Sequence, residues 1–407
     1  MVRFLIMTIV LGNLSGQLAY ADGFPEFEAV TIDPHAGEVV YAVTVADVNT
    51  DKKPDIVALT ETQVIWYEAP TWTKHVILDN QTQPDNVCFA PHDIDGDGQI
   101  DFAVGAGWLH GKNTGTIQWI TRGKNPDDKW SVHFIGEIPW THRMRWADVL
   151  GNGQKQLVVS PLNKTEGNGV NLTAFSIPDD PKSDAWPRTV LNDSLDKMHN
   201  HWHHRTDNQT HTLTASAEGV YFIRKHEPDD GSGGLRVGKP DKIVNGFEAT
   251  KIPQSRGAGE VKSVWMQHDV HRIPGRYSLV AAIEPMHGNT LAVYSLGSSK
   301  RIVLDDTLGR GHALWAADVD GDRSAEIILG HSDPATGKIK GPGIYIYDSP
   351  DQTGETWTKH VIDDGGIATE DLVAEDLNGD GKIDIVAGGR ATHNVKLYLN
   401  RGTSESK

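Results

Sequence analysis

One cysteine, Cys88, stands in 407 residues, so no intramolecular disulfide framework can hold this chain together. Its neighbours Val87 and Phe89 read as a buried strand, and no catalytic role is assigned to the thiol. Long apolar runs are also missing. The longest near the N-terminus, Phe4 to Leu11, falls well short of the roughly 20 residues a spanning helix needs, which argues against a membrane-spanning protein. Basic residues are few: 38 Lys and Arg face 55 Asp and Glu, for a formal charge of −17. Nucleic acid and anionic membranes, which select clustered positive charge, are therefore poor partners.

What is present begins with a leader-like segment. Arg3, the apolar run and the small residues ending Ala19-Tyr20-Ala21 have the layout of a secretory signal peptide, residues 1–21. The expected mature chain starts near Asp22 and is secreted or periplasmic. Self-comparison then shows a repeat. Asp-rich loops begin at Asp47, Asp93, Asp148, Asp318 and Asp376, each followed by an apolar strand. Adjacent loops are 46 to 58 residues apart, and the gap from Asp148 to Asp318 holds two copies without the Asp pattern, making seven in all. Seven short apolar-aromatic strands recur in step, from Val64-Ile-Trp-Tyr67 to Val395-Lys-Leu-Tyr398. A fourth strand follows at Trp72, Trp130, Trp186 and Trp357. Four strands per unit, repeated radially, predicts an all-β, seven-bladed β-propeller over residues 22–400, with a short tail at 401–407. The seventh unit ends too early for its own fourth strand, and Phe27–Asp33 has the pattern to supply it, so an N-terminal strand should complete the last blade.

The fullest Asp loops are Asp93, Asp95, Asp97 and Asp101 in blade two, and Asp376, Asn378, Asp380 and Asp384 in blade seven. Carboxylates at alternate positions with a glycine turn suit Ca²⁺, which takes 6–8 oxygens; the competing reading is a set of Asx turns between strands. Blade six keeps Asp318, Asp320 and Asp322, whereas Leu150 and Asn152 leave blade three without the ligands. Any such ions would be structural.

Nineteen histidines are unevenly placed. Six residues ahead of the first loop Asp lie His142, His312 and Glu370, and either His199 or His201 falls near the same level in blade four. A propeller's first strand lines the central channel, so these side chains should meet at one mouth. Three imidazoles with a carboxylate suit Zn²⁺ or another divalent transition metal, with His312 and Glu370 as ligands, or else a metal-free acid–base cluster. Arg143, Arg145, Arg256 and Arg390 are candidates to hold a carboxylate or an enolate, and His142, His199, Arg145 and Arg390 form the expected catalytic set. His92, Trp108, His287 and His393 are expected to touch substrate. His75, His133 and His360 recur in the fourth strand and read as structural.

The Asp loops over residues 40–400 resemble the FG-GAP/VCBS repeat propellers. Ala90-Pro-His-Asp-Ile-Asp-Gly-Asp-Gly98, Met198-His-Asn200, Glu284-Pro-Met-His-Gly-Asn289, Gly311-His-Ala-Leu-Trp315 and Arg390-Ala-Thr-His-Asn394 look like proteins likened to the propeller part of aldos-2-ulose dehydratase. Propeller polysaccharide lyases acting on rhamnose–glucuronate are a further comparison. The resemblance implies an exported, carbohydrate-active lyase or dehydratase working by β-elimination at one channel mouth, a carbon–oxygen lyase on a sugar or uronate. The alternative is a non-catalytic, calcium-stabilised propeller that binds glycan or protein.

Overall fold

The computed structural model describes residues 23–108, 113–165, 167–206, 209–226, 239–267, 279–334 and 341–403. The expected leader, residues 1–21, and the end of the tail lie outside them. Every regular element among the described residues is a strand, and none is a helix long and apolar enough to cross a membrane. The strands form seven antiparallel sheets. Five are consecutive four-stranded meanders, one (blade four) carries an extra strand out of sequence order, and the seventh has the order Thr369–Glu375, Asp384–Gly389, Val395–Asn400, then Phe27–Asp33. The fold is therefore a seven-bladed β-propeller, and the N-terminal strand closes the ring, pairing Phe27 with Asn400 and Thr31 with Lys396. Closure covers an edge of Val395–Asn400 that would otherwise be open to another chain.

The second strand of a blade has a neighbour on each side and a neighbouring blade on each face. Asp55–Thr60, Asp101–Ala106, Gln156–Pro161, Glu326–His331 and Asp384–Gly389 are accordingly buried at every residue. This is why they read as continuous apolar runs rather than alternating ones. Seven apolar clusters lie one between each pair of adjacent blades, the last joining Ile56 and Ile65 of blade one to Val386 and Leu397 of blade seven. Inter-blade clamps repeat as well. A buried outer-strand aspartate accepts from the tyrosine hydroxyl and the lysine ammonium of the next blade: Asp305 from Tyr347 and Lys359, Asp363 from Tyr398 and Lys396. Asp33 does the same across the closure, taking Tyr67 Oη at 2.8 Å and Lys74 Nζ at 2.7 Å.

Blade four departs from four strands. Its sheet gains Lys242–Val244, which folds back on Phe247–Lys251. The two-residue connection is Asn245-Gly246, both at positive φ (48° and 80°), the turn that suits the twist of a tight hairpin.

Candidate functional site

The inner strands decide which side chains reach the axis. Thr141–Ala147, Met198–Arg205, Gly311–Ala317 and Thr369–Glu375 each carry a register break near their start, at His142, His199, His312 and Glu370. Val40–Ala46 has the same break at Tyr41. A bulge puts two residues opposite one, so alternation slips and the extra side chain turns to the channel. Four blades thereby deliver their bulged residue to one mouth. Ring centroids lie 4.5 Å apart for His142 and His199, 5.2 Å for His199 and His312, and 4.7 Å for His287 and His312. His287 comes from the turn after the second strand of blade five, at φ 53°, and its Nε2 lies 2.8 Å from Nε2 of His199.

Hydrogen-bond partners set the ring tautomers. His199 Nδ1 faces two acceptors, the Gly259 carbonyl at 2.9 Å and the Glu260 carboxylate at 3.1 Å, so it holds the proton and leaves Nε2 with a lone pair. His312 Nδ1 donates to the Glu370 carbonyl at 2.7 Å, which frees its Nε2 in the same way. His142 is reversed. Its Nδ1 accepts from the Arg143 guanidinium at 2.9 Å, so Nε2 carries the hydrogen. Burial first, then neighbouring positive charge, holds His142 and His312 well below the usual imidazole range. The same causes take His287 down to about 2. These rings are neutral at physiological pH.

Glu370, 3% exposed in its side chain, is engaged by Arg390 through two parallel bonds of 2.7 and 2.8 Å. Glu260 is held by Asn200 and His199; burial works against its charge, but those bonds carry its carboxyl below the ordinary value. Trp108, Trp140, Tyr41 and Asp85 complete the wall of a cavity of about 570 Å³, with Arg310 and Arg390 at its rim. Tyr41 donates to Asp85 at 3.1 Å.

The structure thus brings together His142, His199, His287, His312, Glu370, Arg390 and Trp108. The choice between His199 and His201 goes to His199; His201 is two residues deeper and bonds to Ser160 Oγ. Four expected residues are elsewhere, and these placements correct the sequence reading. Arg145 lines a separate cavity farther along the channel. His92 ends its inner strand beside Trp146, ring centroids 4.7 Å apart. His393 bonds to the Glu38 carbonyl and lies near His35 between blades one and seven. Arg256 lines neither cavity, and its backbone N–H donates to the Tyr294 hydroxyl at 3.3 Å. The ligand set also shifts: the groups whose nitrogens come within 4.8 Å of one another are His199, His287 and His312, whereas both Glu370 oxygens are taken by Arg390.

The sequence reading missed Tyr41, Asp85, Trp140 and Glu260. Tyr41 sits six residues ahead of Asp47, so the spacing that found His142 contained it. Glu260 is in a blade without an Asp loop and had no such marker. The fourth-strand histidines pack as expected, His75 over Trp66, His133 by Trp119 and His360 on Phe24.

The Asp loops divide. Where the second strand begins, Asp55, Asp101, Glu326 and Asp384 each accept the backbone N–H seven residues earlier, and Gln156 does so in blade three. This bond accounts for the last position of the motif without an ion. In blade seven, Asp376 is saturated by the N–H groups of Gly379, Asp380 and Gly381, and Asp380 pairs with Lys382. Asp376, Asn378, Asp380 and Asp384 make an Asx-type turn, and their oxygens are not among the described groups that converge within ligand distance of one another. Carboxylates converge instead in blade two, as Asp93, Asp95 and Asp101, and in blade six, as Asp318, Asp320 and Glu326. Asp97 has turned away to Gln99. Burial pushes the Asp101 carboxyl up to about 6 and Glu326 up to about 10.

Fold and site together define a seven-bladed propeller with a histidine-lined cavity at one channel mouth. Residues 114–296, which include His142, His199 and His287, match the family model for the β-propeller domain of aldos-2-ulose dehydratase. The chain is similar to aldos-2-ulose dehydratase of Phanerodontia chrysosporium, 23% identical over 303 residues. That stretch is 64% of this chain but only 30% of the relative, so the chain spans under a third of that protein's length. Among solved structures it is similar to a chain of the mitotic checkpoint complex (TM-score 0.53, 12% identity, 98% of this chain and 100% of that one). A chain from the complex of BBS1N with ARL6DN is comparable (TM-score 0.53, 13% identity, 93% and 97%). At those identities the likeness is one of fold.

Proposed function

We propose that this protein is a carbohydrate-active enzyme, a dehydratase or lyase that eliminates across a carbon–carbon bond of a sugar at the histidine mouth of its channel. The observation that carries the reading is the meeting of four imidazoles from four blades, with His142, His287 and His312 lining one cavity and buried His199 in contact with all three. The match of residues 114–296 to a sugar dehydratase's propeller domain supports it.

The donor set fits a divalent transition metal. His199 and His312 each hold their Nδ1 proton on a carbonyl, the usual way a protein aims Nε2 at an ion. Nitrogens of His199, His287 and His312 lie within 4.8 Å of one another, so these three residues would hold the ion. When bound, such an ion polarises a carbonyl oxygen and makes the adjacent C–H acidic. The chain's own groups do the rest. Asp85, whose carboxyl burial raises above its ordinary value, accepts the proton α to the carbonyl, and Tyr41 orients it. As the C–H electrons form the double bond, the β C–O bond breaks. His142 Nε2–H protonates the departing oxygen, the Arg143 guanidinium at Nδ1 stabilises the negative charge left on the ring, and solvent returns the proton after the product leaves. Trp108 and Trp140 give the sugar ring an apolar wall and exclude water.

In blade two, Asp93 and Asp95 each have a buried Oδ1 with no hydrogen-bond partner among the described residues. We place a structural calcium there, and a second in blade six. Export follows the leader-like N-terminus and belongs to the same proposal.

The test is elimination itself. The purified protein is assayed with keto-sugars and uronates for the ultraviolet absorbance of an unsaturated product, alongside its metal content. Product formation should fall at least a hundredfold in His142→Ala with metal retained, and bound metal should be lost in His312→Ala. A protein with no transition metal and no product from either substrate class would refute the reading.

A further inference from the structure

The channel has a second equipped end. Three residues beyond each bulge, the inner strands present Arg145, Trp202 and Trp315, and blade five presents Lys262 at the matching place. These side chains meet across the axis: the rings of Trp202 and Trp315, from blades four and six, lie 5.1 Å apart. Lys262 Nζ sits 3.8 Å from the Trp202 ring centre and 5.0 Å from that of Trp315, and the Arg145 guanidinium is 5.2 Å from Trp202. Arg145, Trp202 and Trp315 wall a cavity of about 300 Å³ with Trp146, Lys155, Arg143 and one carboxylate, Asp371.

Positive charge is in excess here, with Arg143, Arg145 and Lys262 against the carboxylates Glu260 and Asp371. Lys262 is 2% exposed, yet its ammonium makes no hydrogen bond or ion pair among the described residues, and neither does the Arg145 guanidinium. Two carboxylates, Glu260 and Asp371, lie near enough to attract both cations without an ion pair to either, their direct bonds going to Asn200 and to the Val43 N–H. Burying a cation without an ion pair is costly, and ring faces offset only part of that cost. In a chain of charge −17, a concentration of unpaired cations between indoles is a local reversal. The histidine cavity does not contain these groups; Arg143 alone lines both.

We propose that this end of the channel is a second ligand site, which takes the anionic substituent of an acidic pyranose against Arg145 and Lys262 while the ring lies on the tryptophan wall. Carboxylate and sulfate share the required chemistry, a charged group able to accept from a guanidinium and an ammonium. The ring supplies apolar C–H faces to Trp202 and Trp315. The inference is independent of the elimination reading, since none of its residues belongs to that cavity.

Binding to the full chain is followed by tryptophan fluorescence and calorimetry with glucuronate, glucose and inorganic sulfate. Glucuronate should bind saturably and perturb the fluorescence, sulfate should bind at least tenfold more weakly, and glucose should not bind. Lys262→Met and Arg145→Gln should each weaken glucuronate at least tenfold, while Lys129→Met, at an exposed ion pair away from both cavities, leaves it unchanged. Lys262→Met removes a buried charge at matched length and should fold at least as well as the parent, which keeps the test open if a tryptophan variant misfolds. Failure of glucuronate to bind, equal affinity for sulfate, or loss in Lys129→Met with Lys262→Met unaffected would each overturn the proposal.

Discussion

Replacing Arg390 with alanine tests how the histidine cavity is held. Glu370 is 3% exposed in its side chain, and both its oxygens are occupied by the Arg390 guanidinium; its other close contact is His312 Nε2 at 3.5 Å. Removing the cation strands a carboxylate in a buried place. Breaking such a pair costs about 3–5 kcal/mol when both members are buried. The Arg390 side chain is 34% exposed, and water can enter the space it leaves, so about 2–3 kcal/mol is expected. For roughly 380 folded residues the unfolding entropy is about 0.8 kcal/mol per kelvin, which makes the shift in Tm about 3 °C. Differential scanning calorimetry of Arg390→Ala, Glu370→Gln and the double variant measures it. The double variant should recover most of the loss, because a neutral amide strands no charge, and the single-variant deficit should shrink on acidification. A single variant with unchanged Tm, or a double variant no better than Arg390→Ala, would refute the argument.

Two other outcomes follow from the geometry. Burial and then the Asp320 charge push Glu326 up to about 10, so its stabilising contribution to the cation-free fold is whole below the ordinary carboxylate range and is lost as pH rises toward 10. In chelator-treated protein, Tm should therefore fall between pH 6 and pH 9; calcium or Glu326→Gln should flatten that slope, and a slope unaffected by both would count against a cation in blade six. At the ring closure, Asp33→Ala leaves Tyr67 and Lys74 without their acceptor and should cost about 1.5–3 kcal/mol in urea unfolding, with the m-value unchanged; a cost under about 0.5 kcal/mol would mean the closing strand is held by its backbone pairing alone.

Much of the fold was legible because a propeller is built from local signals. The loop at Asp47, the run Asp55–Thr60 and the strand through Trp66 and Tyr67 belong to one contiguous hairpin, and six more hairpins repeat its spacing. The fifth strand of blade four was not foreseen, although Asn245-Gly246 is the dipeptide that makes its turn. The site was half legible. Equal spacing ahead of the Asp loops found His142, His312 and Glu370, since identical offsets in identical strands give one height. It misplaced Arg145, His92 and His393, because height along the axis and direction toward it are separate matters.

The sequence by itself determined the number of blades, the order of strands outside blade four and the strand that closes the ring, since pattern and spacing in the chain already state which segments pair. Tertiary structure alone decided which side chains share a cavity. A single-residue bulge in five inner strands redirects the residue it adds, and blades far apart in sequence then meet across the axis. It also decided how the acidic loops are bonded: Asp376 gives both oxygens to the backbone of its own turn, whereas Asp93 and Asp95 each keep a buried Oδ1 without a hydrogen-bond partner among the described residues. Both outcomes turn on directions in space, which residue spacing does not encode.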